Sequence, residues 1–542
     1  MINKQECKEK LKNLKPVIKI SASLALLVFV ILLIGYYIIF PSRGSFHSDC
    51  TDTLMWAQAS YDSKSLFNSD FSYACLLPFG TSLIMMLLIP FTGVTMTTHV
   101  IGMLCFFLLF TSAFIFMLKQ MHWNLGWIAI AVFSLLMFCS GSEKLREIFW
   151  GHTIYYSLGV FFIFVGLGLV FKYYNILENP KQNQKKEFIY IALIFIWFIL
   201  TCSDQITAIT IFALPVMASI FCERWLDNTT KFKSQKNLQT FTIFLIMASG
   251  MCVGNLLINY LAGDVTAGYE EAYSEYSDMS TWAEHLQEFP VAWFSLFGAN
   301  MQENDPFMSV TSVQSLLIII TSILLLILPI IALCCYSKIQ DSKLKILILT
   351  YWFMSLLIMM GYVMGRLYVA NWRLSPIVAM SAVVSIAFIK WAVSQINLQR
   401  IATLCMIPIL IVCTMHASVM IAMPADNTSE NILYQIAEQL EDLNLTYGYA
   451  TFWQANGLTV VSDSKIKCRD VYIDEAGCMI RNYQSNLHWY EAQPEQDNYF
   501  LLMTRAEAQA LTNSNDSLVT TQHKTATLKS GYVVWIFSEN IF

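Results

Sequence analysis

Two aspartates three residues apart, Asp49 and Asp52, stand in the run Phe46-His47-Ser48-Asp49-Cys50-Thr51-Asp52, directly after an apolar segment long enough to cross a membrane. A carboxylate held at such a boundary can take the proton of an attacking hydroxyl. A second one beside it can orient that hydroxyl or bind a divalent cation such as Mg or Mn. If the chain turns helical at Thr51, the two side chains share a face. The competing reading is ordinary loop polarity, with Asp52 capping a helix that begins at Thr53. Asp204, in Thr201-Cys202-Ser203-Asp204-Gln205, interrupts another apolar stretch. An ionisable group there is a candidate for function, against simple turn formation. Arg366 and Arg373 are almost the only cations expected on the same side of the last five spans, and the planar guanidinium fork suits a phosphate. The alternative for both is a snorkelling anchor at the interface.

A scaffold has to bring these groups together. The chain has 542 residues, 56% of them hydrophobic and 13% charged, with a mean hydropathy of +0.53. That composition excludes a soluble globular domain and reads as a polytopic α-helical membrane protein. About eleven apolar segments, from Val17–Phe40 to Ile401–Met423, are candidates for spanning helices. The first has no small-residue cleavage pattern and is expected to stay as an anchor. Lysines and arginines cluster in alternate connections: Lys4 to Lys15, Lys119, Lys181 to Lys186, Arg224 to Lys236, Lys338 to Lys345, and Lys390 with Arg400. By the positive-inside rule these are cytoplasmic, which leaves the loops 41–94, 141–152 and 263–312 outside. Leu83–Pro90 is too short to span and is read as a helix in or dipping into the outer interface. The expected topology is a multi-pass cell-membrane protein with its N-terminus in the cytoplasm.

The composition changes after Pro424. Asn427–Leu443 carries Ile432, Ile436, Leu440 and Leu443 at helical spacing, and short β-like runs follow at Tyr447–Phe452, Leu458–Val461, Val471–Ile473, Tyr499–Met503 and Gly531–Phe537. Residues 1–423 therefore read as a transmembrane domain and 424–542 as a small mixed α/β extracytoplasmic domain. Most cysteines lie in apolar spans, where packing explains them. Cys50 with Cys75, and Cys468 with Cys478, are the pairs that an oxidising compartment would allow to bridge. No cysteine or histidine spacing of the common zinc motifs occurs. The outer stretch 263–312 interleaves acids (Asp264, Glu270, Glu271, Glu275, Asp278, Glu284, Glu288, Glu303, Asp305) with Tyr269, Tyr273, Tyr276, Trp282 and Trp293. Such a mixture suits either a sugar-binding lid or plain solvation.

The run Ser48-Asp49-Cys50-Thr51-Asp52, with Trp56-Ala57-Gln58-Ala59, Asn68-Ser69-Asp70-Phe71 and Leu77-Pro78-Phe79-Gly80, resembles the first outer loop of the GT-C superfamily of integral-membrane glycosyltransferases. The resemblance implies a many-helix bundle with a catalytic acid in the first outer loop and a polyprenyl-phosphate-linked sugar as donor. It also implies that the second outer loop lies beside the first, which makes Glu143, Arg146, Glu147 and His152 candidates for substrate binding. On a regular helix Glu143 and Glu147 would share a face, with Arg146 beside them. The segment Arg366-Leu367-Tyr368 to Trp372-Arg373-Leu374-Ser375-Pro376 is similar to the family's late Arg-aromatic-Pro pattern, although the order of Trp372 and Arg373 is reversed. The acceptor would be an extracytoplasmic glycan, lipid or wall polymer. No nucleic-acid partner is expected. The rival classes are a transporter or flippase, which would show internal repeats and mid-membrane charges, and a polymerase or ligase of lipid-linked glycans, which would load its catalytic groups into a late outer loop.

Overall fold

Backbone groups in hydrocarbon must bond within their own segment, so apolar runs of this length form helices. The computed structural model describes residues 4–178, 184–226, 235–262, 265–266, 275–299, 306–366, 370–494 and 496–542. Among the described residues nine helices are long and apolar enough to cross a membrane. Two more occupy expected span positions but fall short of that test. Leu125–Phe138 has only 14 residues and is bent by 113° against the segment Glu143–Gly151 that follows. Gln184–Cys202 opens with Lys185, Lys186 and Glu187, so less of it is apolar.

Both short helices are packed within the bundle. The start of Leu125–Phe138 lies beside Ser23, 3.7 Å from a Cβ placed on Gly126, and near its end Met137 O accepts from His416 Nδ1 at 3.1 Å. Gln184–Cys202 packs parallel to Gln235–Ala262, with Gly250 against Phe195 and Gly254 against Ile199. The first helix, Lys4–Ile39, and the last of the bundle, Gln399–Ala422, end side by side, where Tyr36 Oη donates to Met423 O at 2.7 Å. Two helices ending on one face require an odd number of traverses, a condition that nine and eleven both meet. Thr81–Thr92, at 12 residues, is too short to be another: about 18 Å of helix against a hydrocarbon core of about 30 Å.

The C-terminal elements build one six-stranded sheet, in the order β4-β3-β2-β6-β8-β7, from β2 (Tyr447–Ala450), β3 (Lys467–Asp474), β4 (Gly477–Ile480), β6 (Tyr499–Met503), β7 (Lys524–Thr527) and β8 (Val533–Phe537). Alternation along the strands gives it two buried faces. Tyr499, Leu501 and Met503 face the helix Arg505–Asn513. Phe500 and Leu502 face the other way, into an apolar cluster continuous with the bundle. The expected helix starts later than Asn427, at Ile432, where the Asn431 side chain accepts from Leu433 N. Leu458–Val461 is not a strand: it lies in the helix Ala455–Val461, which connects β2 to β3. Those strands are parallel, and a parallel pair needs a crossover, commonly helical, whatever the β-branched content of the connecting residues.

No disulfide joins either of the two pairs left open by the sequence, Cys50 with Cys75 or Cys468 with Cys478. For the second pair register gives the reason. Cys478 opposes Ile473 on β3, five residues from Cys468, which is about 16 Å at strand spacing and beyond the reach of a disulfide. Trp293 in the acidic outer stretch is a core residue, fully buried with its Nε1 donating to Ser322 O at 3.2 Å. Asp264, Tyr269, Glu270, Glu271, Tyr273, Glu303 and Asp305 lie outside the described residues, as do Leu367 and Tyr368.

The sheet domain rests on the first loop. Asn431 Nδ2 donates to Arg43 O at 3.0 Å and to Phe46 O at 2.8 Å, and Ser464 Oγ donates to Val94 O at 2.6 Å. Gly457 permits a close approach, since a Cβ there would meet Leu433 Cδ1 at 2.7 Å and Ser48 Oγ at 3.2 Å. A two-stranded ribbon completes the join: β1 (Phe71–Ser72) pairs antiparallel with β5 (Ser485–Asn486). The first loop and the C-terminal domain therefore share one side of the bundle. Reporters placed after Met423 and at Lys64 are expected to read the same compartment, and one in the connection between Gln120 and Leu125 the opposite one. Discordant readings from Met423 and Lys64 would contradict the fold.

Candidate functional site

The chain leaves the first span through two single 3-10 turns, Pro41–Arg43 and Ser48–Thr51, before the helix Asp52–Ser63. In a 3-10 turn the side chains at i and i+3 eclipse, so Asp49 and Asp52 reach the same space. They line a cavity of about 230 Å³ together with Lys144, Glu147, His152 and Arg373. Asp52 does not cap its helix. It is the first helical residue, and the preceding Thr51 makes no side-chain cap bond. Its carboxylate turns instead to His152, whose Nε2 lies 3.3 Å from Oδ2. Asp52 is 6% exposed. Burial raises its pKa, the charge of Asp49 adds to that, and His152 and Gln484 work the other way. A carboxyl raised in this manner is closer to the protonation range in which a general base works at neutral pH.

The second loop enters from the opposite wall. One helical turn, Glu143–Arg146, is followed by a π-helical turn, Glu147–Gly151. Glu147 N donates to Glu143 O, so the two acids keep the i,i+4 relation, and the widened π turn alters the spacing only beyond Glu147, toward His152. Glu147 lines the cavity, whereas Glu143 and Arg146 line a separate groove of about 1210 Å³ between Val310–Cys334 and Gln399–Ala422. Arg146 is held there by Ser140 O, 3.0 Å from its Nη1, with its guanidinium over the Tyr37 ring.

Charges alternate across the cavity. Lys144 Nζ lies 2.6 Å from Glu147 Oε2, Glu147 lies 3.4 Å from His47 Nε2, and His47 Nδ1 lies 3.8 Å from Asp49. Burial opposes charge on His47, but the Cys50 sulfur and the Glu147 carboxylate outweigh it and push its pKa up to about 11. Burial likewise opposes charge on Glu147, but His47 and Lys144 hold its pKa down at about 2. His47, Asp49 and Glu147 bring donor atoms within 4.8 Å of one another. One imidazole and two carboxylates fit a divalent transition ion such as Mn better than Mg, which prefers oxygen ligands. Holding such an ion would require His47 to give up its proton and Lys144 to yield its place at Glu147.

The remaining candidates separate. Arg373 lines the cavity beside Trp372, with Nη1 3.4 Å from Gly361 O. Arg366 is outside it, in an exposed ion pair with Glu275 at 2.7 Å. Asp204 is buried at the start of the helix Gln205–Ala208. It does not line the cavity, although Ile206 and Thr207 of the same helix do. Three contributors were not singled out from sequence. His47 stands two residues before Asp49, a spacing that offered a signal. Lys144 was read only as a loop charge. Tyr483 arrives from the C-terminal domain and had no local signal at all.

The sequence matches no family model and no curated protein. Among solved structures, it is similar to the Archaeoglobus fulgidus oligosaccharyltransferase in the apo form, at 11% identity and a TM-score of 0.48, over 82% of this chain and 64% of that one. The chain thus spans less than two thirds of that protein. The same enzyme in complex with Zn and sulfate aligns at 11% identity and a TM-score of 0.48, over 94% of this chain and 72% of that one. ArnT from Cupriavidus metallidurans in the apo state aligns at 11% identity and a TM-score of 0.43, over 95% and 98% of the two chains.

The alternating charges make a testable pair. In Glu147→Gln the carboxylate that favours the charged imidazole is gone, so the His47 pKa is expected to fall from about 11 toward the usual histidine range. Nuclear magnetic resonance of labelled histidine across a pH series reads this directly. An unmoved His47 resonance would leave the Cys50 sulfur as its determinant.

Proposed function

We propose that this chain is a GT-C-type membrane glycosyltransferase that moves a sugar from a polyprenyl-phosphate carrier to an extracytoplasmic glycan, lipid or wall polymer. The observation that carries the reading is the cavity itself, in which the buried Asp52 and the more open Asp49 face Arg373 and Lys144 beside the ends of membrane-length helices. Carboxylates suit an attacking hydroxyl, and cations suit a leaving phosphate. The distribution of lysine and arginine supports an N-terminus in the cytoplasm and a C-terminal domain outside.

In this reading Asp52, oriented by His152, accepts the proton of the acceptor hydroxyl while that oxygen bonds to the anomeric carbon. The bond from the same carbon to the phosphate oxygen breaks on the opposite side, and its electron pair stays with the phosphate. Configuration inverts. Arg373 and Lys144 hold the charge that develops on the leaving group, and Trp372, over whose ring Lys144 Nζ lies at 5.0 Å, helps fix that lysine. Asp49 anchors the His47 side of the cavity. A divalent ion bound at His47, Asp49 and Glu147 would supply further positive charge for the phosphate.

The test is transfer in membrane vesicles supplied one at a time with radiolabelled polyprenyl-phosphate sugars. Asp52→Asn keeps shape and removes the base, and a loss of at least about a hundredfold is expected. A comparable loss confined to Asp49→Asn would move the role of base to that residue. No transfer from any carrier-linked sugar would remove the reading.

The phosphate assignment separates two arginines. Arg373→Lys keeps the charge but loses the fork, and donor use is expected to fall about ten- to a hundredfold, the equivalent of one charge-assisted hydrogen bond of about 1.5–3 kcal/mol. Arg366→Lys, outside the cavity, is expected to change little. Donor titrations in the same vesicles distinguish them, and equal effects would unseat Arg373.

A further inference from the structure

Gln484 belongs to the C-terminal domain yet is fully buried against the first loop. Its Oε1 accepts from Trp56 Nε1 at 2.6 Å, across 428 residues of sequence, and from the Ala74 backbone N at 3.4 Å. Both partners can only donate, so the carboxamide oxygen and nitrogen cannot be exchanged. Its backbone is held as firmly: Gln484 N donates to Ser72 O at 2.8 Å, and its carbonyl accepts from Asn456 Nδ2 at 3.2 Å. The φ of +51° lies in the left-handed region, which a residue with a Cβ enters only when its surroundings impose it.

With the oxygen pinned, the orientation of the amide nitrogen is set. Gln484 Nε2 and Asp52 Oδ1 are both buried, and neither makes a well-formed hydrogen bond. Trp56, which pins the amide, stands four residues after Asp52 on the helix Asp52–Ser63 and so on the same face, which brings the unused Nε2 to the Asp52 side, where a donor favours the anion. Gln484 does not line the cavity, so it does not meet substrate. Asp52 does. We infer that Gln484 is a positioning residue for Asp52, a donor delivered by the C-terminal domain through the β1–β5 ribbon that fixes the carboxylate toward the cavity. The inference rests on Asp52 as the proton acceptor for its purpose, although not for its test. The other groups around Asp52 are His152, with His99 behind it, and Asp49, with Glu147, Lys144 and Arg373 across the cavity. None of these comes from the C-terminal domain.

Removing the donor leaves burial opposed by His152 alone, so Asp52 takes up a proton at higher pH. Dicyclohexylcarbodiimide adds to protonated carboxyls. Its pH-dependent labelling of the full-length protein in detergent, localised by peptide mass spectrometry, reads the Asp52 midpoint without any sugar donor. Gln484→Leu is expected to raise that midpoint by about one unit, a tenfold gain in proton affinity. Trp56→Phe keeps Gln484 but frees its oxygen, and is expected to shift the midpoint in the same direction by less. Asp62, on the same helix, is the internal standard and is expected to stay put. An unmoved Asp52 midpoint in both variants overturns the inference, and so do equal shifts at Asp52 and Asp62, which would mean general loosening. Shifted labelling in a protein that transfers no sugar would instead retain Gln484's role and reject the glycosyltransferase reading.

Discussion

A carboxylate withdrawn from water beside a lipid-facing bundle is costly unless other groups compensate it, and Asp52 is the point at which this chain meets that cost. Its neighbours follow from that need. His152 arrives from the connection after the short, bent Leu125–Phe138 helix, Asp49 from the preceding 3-10 turn, and Gln484 from the far end of the sequence. Each lies on an element that is irregular where it meets the site: a π turn next to His152, a 3-10 turn under Asp49, and a left-handed backbone at Gln484. Local strain concentrates where the surrounding structure can over-determine it.

The alternating chain from Lys144 to Asp49 solves a related problem. Four ionisable side chains share a small space, and every neighbouring pair is of opposite sign. That ordering keeps a positive group on the Arg373 side of the cavity and a negative group on the Asp52 side. A cavity polarised in this way presents a cationic and an anionic end before any motion of the protein.

Legibility in the sequence follows the range of the interaction. Asp49 and Asp52 could be read because three residues of spacing and an adjacent apolar span are local facts, and the helices could be read because their length is dictated by the bilayer. The i,i+4 relation of Glu143 and Glu147 was equally local and is kept, but that one lines the groove and the other the cavity is set by the helices packed around them. Leu458–Val461 was misjudged because its β-branched residues are overridden by the crossover that two parallel strands require. Whether Cys468 and Cys478 pair stayed open in the sequence, because it is decided by strand register, which only the formed sheet defines. Gln484 and Tyr483 carried no signal, since their relation to the first loop exists only after distant segments have met.

One apolar cluster runs from the bundle into the face of the sheet that carries Phe500, Leu502 and Val534. Those strands follow every helix of the bundle in the chain and are made after the bundle has had the chance to insert. The first loop is thus synthesised early and left with an open seam at Phe71 and Ser72 until β5 is added. Completion of the cavity waits for the segment before β5, and a ribosome that stops ahead of it leaves the acids of the first loop without the Tyr483 wall and without Gln484 behind Asp52.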